Sequence, residues 1–122
     1  MSTPTSLFNQ LLRVIPSLRT VNEYVKLKAD GFMDLHVDIL YREGDTARIA
    51  IAHNYIQNGD VIPDPDMELL VDFKNRTVEA KTFQNIYAYS EVEDGNDALQ
   101  DELNEFLEIW LNNLIDQGHK AV

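Results

Sequence analysis

The chain has 122 residues, of which 44% are hydrophobic and 25% charged, as expected for one globular domain. No apolar run reaches the roughly 18 residues that a membrane helix needs. The N-terminus has no basic stretch and no apolar signal segment, so we expect a cytoplasmic protein. The absence of cysteine excludes disulfides, a cysteine nucleophile and thiolate metal sites. We therefore predict one domain over residues 1–122, frayed over residues 1–4.

The net charge is −11, from 21 acidic residues against 10 lysines and arginines. Residues 91–122 carry most of this excess, with nine acids and Lys120 as the sole base. Such a charge disfavours direct binding to nucleic acid or to an anionic membrane, because both need basic side chains. It permits a basic protein partner, a cation or a purely solubilising role.

The first predicted element is a helix with its N-cap at Thr5 or Ser6, because Leu7, Phe8 and Leu11 share one helical face. Pro16 ends this helix. Alternating hydrophobicity then predicts strands, with residues 57–65 as a loop broken by glycine and proline. The predicted strands are 25–29, 33–41, 48–55, 67–73 and 77–83, with a further short strand at 86–89.

The last predicted element is an amphipathic helix that begins at Asn96 or Asp97 and ends at Gly118. Strands without interposed helices indicate an α+β fold. We expect an antiparallel sheet of about five strands with the N- and C-terminal helices packed on one face. Such a sheet leaves an exposed edge, through which two copies of the chain could pair as a homodimer.

Several segments resemble the YqiB-like proteins, a family of short bacterial proteins of unknown function. These segments are LFNQLLRVIP at 7–16, PDMELLV at 65–71, VEA at 78–80 and DELNEFLEIWL at 101–111. The resemblance implies the same helix–sheet–helix order and supplies no catalytic residue. HNYIQNGD at 53–60, followed by DPDME at 64–68, also resembles uncharacterised proteins of mobile elements.

The segment from residue 53 to residue 68 is rich in oxygen and nitrogen ligands. Carboxylates spaced by two project to one side of an extended chain, and hard cations such as Mg²⁺ and Ca²⁺ prefer converging oxygen ligands. Asx turns around the prolines explain the same residues without a ligand. The candidate ligands for a divalent cation are His53, Asp60, Asp64, Asp66 and Glu68.

The last helix offers a second candidate site, because its acids recur at helical spacing. Asp101, Glu105 and Glu108 step by four and three, and Glu102 lies beside them. A row of carboxylates can imitate the phosphates of a nucleic-acid strand for a basic, nucleic-acid-binding protein. The same row is also typical of an ordinary solvated helix face.

These observations predict a non-enzymatic acidic interaction or accessory protein that offers its last helix to a basic partner, without a cofactor. The sequence contains no nucleophile elbow and no glycine-rich phosphate loop. We therefore leave open whether the protein is an enzyme and favour a non-enzymatic role. The alternative is a small metal-dependent enzyme or cation-binding protein that uses residues 53–68 and a divalent cation.

Overall fold

The first helix, α1, spans Pro4–Val14 in the computed structural model, which describes residues 3–121 and leaves the side chains of 55–57 and 61–64 undescribed. Thr3 is its N-cap: the Thr3 hydroxyl accepts from the Ser6 amide at 3.1 Å, and the Ser6 hydroxyl accepts from the Thr3 amide at 3.0 Å. Our placement of the cap at Thr5 or Ser6 is therefore wrong, and Thr3 and Pro4 are not frayed. Residues 1 and 2 lie outside the described residues.

The sheet is antiparallel and has eight strands within residues 3–121, so the α+β class is confirmed and the expected five strands are too few. The strand order is β7-β6-β4-β3-β2-β1-β8, and β5 pairs with β4 beside β6. The additional strands are two or three residues long, which is too short for a period of two to be visible. The strands are β1 (Tyr24–Lys28), β2 (Leu35–Glu43), β3 (Thr46–Gln57), β4 (Asp60–Asp72), β5 (Thr77–Ala80), β6 (Thr82–Gln84), β7 (Tyr89–Glu91) and β8 (Lys120–Ala121).

The long β3–β4 hairpin replaces the loop that we predicted over residues 57–65. Gln57 pairs with Asp60, and the two residues between them, Asn58 and Gly59, both have positive φ angles of 53° and 84°. That is the backbone of a type I′ turn, for which Asn-Gly is the favoured sequence. A shift of register between Ala52 and Asn54 accommodates the prolines of β4.

The second helix, α2, spans Asp97–Gln117 and begins and ends as predicted. The Asn96 side chain accepts from the Leu99 amide at 3.1 Å, and Gly118 adopts φ 81° at the C-cap. Buried side chains of both helices and of the strands form one apolar cluster. The helices contact each other and β5, whereas their packing on one face of the sheet stays a prediction. No helix within residues 3–121 is long and apolar enough to cross a membrane.

A buried asparagine joins α2 to the sheet. Asn104 is 5% exposed, and its Oδ1 accepts from the Ala80 amide of β5 at 2.9 Å and from Gln100 Nε2 at 2.9 Å. Gln100 Nε2 also donates to the Ala80 carbonyl at 2.6 Å. These bonds satisfy the polar backbone of Ala80 inside an apolar cluster and fix the rotation of α2 about its axis.

Replacing this asparagine tests the contact. Asn104→Ala leaves the Ala80 amide without its acceptor, so we expect the free energy of unfolding to fall by about 1–3 kcal/mol. Asn113→Ala, at an exposed position of the same helix, is the matched control and should change stability much less. Urea unfolding measures both, and equal losses in the two variants would contradict the role given to Asn104.

Candidate functional site

A groove runs between α2 and the loop that joins β1 to β2. It has a volume of about 460 Å³, within the usual range for ligand sites. We call it the α2 groove. Its walls come from the β1–β2 loop, the sheet and the exposed flank of α2, and its lining residues are Gly31, Phe32, Met33, His53, Pro65, Phe106, Ile109, Trp110, Asn113 and Gln117.

Four large apolar side chains stand at the mouth of the groove and form what we call the apolar rim. Phe32 and Met33 are 51% and 47% exposed, and Phe106 and Ile109 are 37% and 61% exposed. A gathered set of exposed apolar side chains usually marks an interaction site, whereas single ones do not. Phe106 also packs edge-on against Phe83, with ring centroids 4.9 Å apart, so it is held in place from below.

The groove continues past Phe106 along the same flank of α2. A smaller hollow of about 220 Å³ lies there between α2 and the β6–β7 segment. Glu102, Leu99 and Leu103 line it from the helix, and Phe83 and Ala88 line it from the sheet. Because Phe106 borders both hollows, an extended occupant of the groove can contact both.

Trp110, which lines the groove, carries a buried indole N–H that has no partner among the described residues. Trp110 is 6% exposed, and its Nε1 is buried with no hydrogen-bond partner among the side chains and backbone that the structure describes. A buried donor without an acceptor costs free energy, and a ligand carbonyl can restore the lost bond. This atom is therefore the most specific polar feature of the groove.

His53 lies beside Trp110, His119 lies beside His53, and both histidines are held by consecutive carbonyls of the β1–β2 loop. His53 Nδ1 donates to the Asp34 carbonyl at 2.9 Å, and His119 Nε2 donates to the Met33 carbonyl at 2.9 Å. A carbonyl only accepts, so each of these nitrogens carries the proton. The His53 ring lies 5.4 Å from Trp110 and 5.9 Å from His119 between centroids. The histidine pair thereby connects the loop, β3, α2 and the residue before β8.

Burial lowers the pKa of His53, because the charged imidazolium is poorly solvated there and His119 adds further repulsion. The bond to the Asp34 carbonyl opposes this shift without cancelling it. His53 is consequently a neutral side chain at pH 7, and its charging is coupled to unfolding.

The structure divides the four acids that we predicted as a binding face. Asp101, Glu102 and Glu105 are exposed, and Glu108 is half-buried. Asn112, which continues the row, accepts from Gln10 of α1 at 2.8 Å. By helical periodicity, Asp101 and Glu108 therefore lie on the flank towards α1, Glu105 lies between that flank and Ile109, and Glu102 lies next to Phe106. Of the four acids, Glu102 thus lines the smaller hollow that adjoins the α2 groove at Phe106.

The five residues that we predicted as cation ligands belong to β3 and β4. His53 faces Trp110 of α2, while Asp66 and Glu68 flank the buried Met67 and therefore point to the opposite face. Glu68 accepts from Arg48 Nε at 2.8 Å, and burial together with Glu68 and Asp38 raises the pKa of Asp66.

Asp60 is exposed next to the Asn58-Gly59 turn, and the side chain of Asp64 lies outside the described residues. Among the side chains that the structure describes, no three of histidine, aspartate and glutamate come together as metal ligands would.

Comparison with known proteins gives one family. Residues 6–120 match the family described as Domain of unknown function (DUF6908). The chain belongs to this family. No curated protein and no solved structure matches the chain. The resemblance to the YqiB-like proteins and to mobile-element proteins is not confirmed, whereas the expectation of an uncharacterised domain is.

Sequence reasoning missed most of the residues that form the α2 groove of this DUF6908 domain. We placed Met33 in a strand and Phe106 on the buried stripe, yet both are exposed. The strands that we predicted over 25–29 and 33–41 leave a short connection, but β1 ends at Lys28 and β2 begins at Leu35. Ile109 carried a usable signal, because it is an apolar residue outside the buried stripe of its helix.

The buried His53 of the DUF6908 domain makes its stability dependent on pH. His53 has a lowered pKa in the folded state, so the unfolded chain binds more protons below about pH 6.5. Stability should therefore fall as the pH drops from 7.5 to 5.5, and His53→Gln should reduce this fall. Urea unfolding at each pH measures the free energy of unfolding. The control is His36→Gln, at a half-buried position of β2. If the free energy of unfolding of His53→Gln falls with decreasing pH as steeply as that of the unmodified protein, the role given to His53 is wrong.

Proposed function

We propose that this DUF6908 domain is a non-catalytic interaction module whose α2 groove captures a basic protein segment with an apolar anchor. The observation that carries the proposal is the apolar rim above the unpartnered Trp110 Nε1, on a helix with six acids and no base. Each part of this arrangement selects one property of the occupant. We also propose that the protein acts in the cytoplasm and that its basic partner binds nucleic acid.

The apolar rim selects a large hydrophobic side chain. Phe32 and Met33 on one side and Phe106 and Ile109 on the other leave a hollow between them that such a side chain can fill. Burying each large apolar side chain from water contributes about 1.5–3 kcal/mol. One or two anchors therefore supply much of the free energy of a micromolar complex.

The acids of α2 select a positive charge beside that anchor. Glu102 lines the hollow next to Phe106, and Glu105 precedes Ile109 by one helical turn. The overall charge of −11 additionally accelerates the approach of a basic partner.

The buried indole N–H selects a main-chain or side-chain carbonyl at the base of the anchor. A segment that fills the hollow brings its own peptide carbonyls close to Trp110, whose Nε1 has no acceptor within the described part of the chain. The cation-binding alternative has no comparable support among the described side chains, because His53 lies on one face of the sheet and Asp66 and Glu68 on the other.

Selection from a random 12-residue peptide library tests the proposal with a defined probe. We expect the selected peptides to be basic and to carry at least one large apolar residue. Trp110 is the single tryptophan, so peptides without tryptophan that enter the groove should change its fluorescence emission. Acidic or neutral selected peptides, or selected peptides that leave the emission unchanged, would contradict the proposal.

Charge reversal gives the matched control. The double variant Glu102→Lys with Glu105→Lys should bind the selected peptides about tenfold more weakly, which corresponds to about 1.4 kcal/mol of binding free energy. Glu23→Lys with Glu43→Lys makes the same change of net charge at exposed positions elsewhere and should have a smaller effect. Equal weakening by the two pairs would show that net charge, not the α2 groove, attracts the peptides.

A further inference from the structure

A second cavity lies on another part of the molecule, where the C-terminal ends of α1 and α2 meet β8. It has a volume of about 490 Å³, and we call it the C-terminal cavity. Its lining includes Arg13, Val14, Pro16, Ile115, His119 and Lys120. It shares none of its lining with the α2 groove.

The charge of this cavity is opposite to that of the protein. Arg13 and Lys120 line it, and among the described residues no aspartate or glutamate does. Lys28 of β1 pairs with Lys120 in the strand register, which places a third base next to the cavity. In a chain with net charge −11, two bases in the lining and a third at the neighbouring register position make the charge of this part of the surface locally positive.

A buried histidine nitrogen in the lining has no partner. His119 is 5% exposed, and its Nε2 is occupied by the Met33 carbonyl. Its Nδ1 is buried and has no hydrogen-bond partner within residues 3–121 as the structure describes them. Such an atom can accept from a carboxylic acid, or, when protonated, donate to a carboxylate.

The remaining lining is apolar and selects the body of the ligand. Val14 and Pro16 close one side, and Ile115 and Ala121 close the other. The volume exceeds what an inorganic ion needs and lies in the range of small-molecule sites. The lining thus offers apolar contact to an organic group attached to the anion.

We propose that the C-terminal cavity binds a small organic carboxylate with an apolar body, its carboxylate between Arg13 and Lys120 and its body against Val14, Pro16 and Ile115. Arginine binds carboxylates through two parallel hydrogen bonds, which fixes the direction of the ligand. This site is independent of the α2 groove, so its failure would leave the interaction module unaffected.

Titration with octanoate, followed by amide and histidine resonances in NMR spectra, tests the proposal. Octanoate should shift the resonances of Ile115, His119 and Lys120 and bind at least tenfold more tightly than acetate, which lacks the apolar body. Octylamine has the same body with the opposite charge and should not bind there. No binding of octanoate, or equal binding of octylamine, would overturn the proposal.

Two exposed bases provide the variants. The double variant Arg13→Gln with Lys120→Gln should bind octanoate at least tenfold more weakly, because both charged contacts are lost while the backbone pairing of β8 remains. Lys74→Gln removes an exposed base from the turn between β4 and β5 and should leave the affinity unchanged. Unchanged affinity in the double variant would also overturn the proposal.

Discussion

The bond from the Ala80 amide to Asn104 decides which side of α2 is left uncovered. Asn104 stands among the buried leucines of α2, where an unsatisfied amide would be costly, and β5 supplies its partner. With Asn104 fixed, Leu103, Leu107 and Leu111 point into the core, and Phe106 and Ile109 point outward. The apolar rim is therefore a consequence of how the helix is bound, since one helix cannot turn both sets of apolar side chains inward.

Local signals in the sequence were sufficient for much of the fold. Asn96 and Gly118 define α2, and the alternation of β1 to β4 gives the antiparallel α+β class. The errors have local causes too. We gave the prolines of residues 57–65 more weight than the Asn58-Gly59 turn, although a bulge tolerates proline. The strand β8 pairs with β1 over only two residues, and no pattern of that length is visible in a sequence.

The site was harder to predict, because its parts come from distant segments. His119 binds the Met33 carbonyl across 86 residues, and His53 reaches the next carbonyl from β3. The spacing of acids on α2 was readable, but the division of the row between two flanks depends on the rotation set by Asn104. Sequence reasoning therefore found a charged helix and missed the apolar rim beside it.

The central claim is that an occupant of the α2 groove supplies an acceptor to Trp110 Nε1. The indole N–H resonance of this single tryptophan reports on it directly. Addition of a selected basic peptide should move this resonance downfield and slow its exchange with water. An unchanged indole resonance, with shifts instead at Ala50 and Ala52 in the middle of the sheet, would contradict the account.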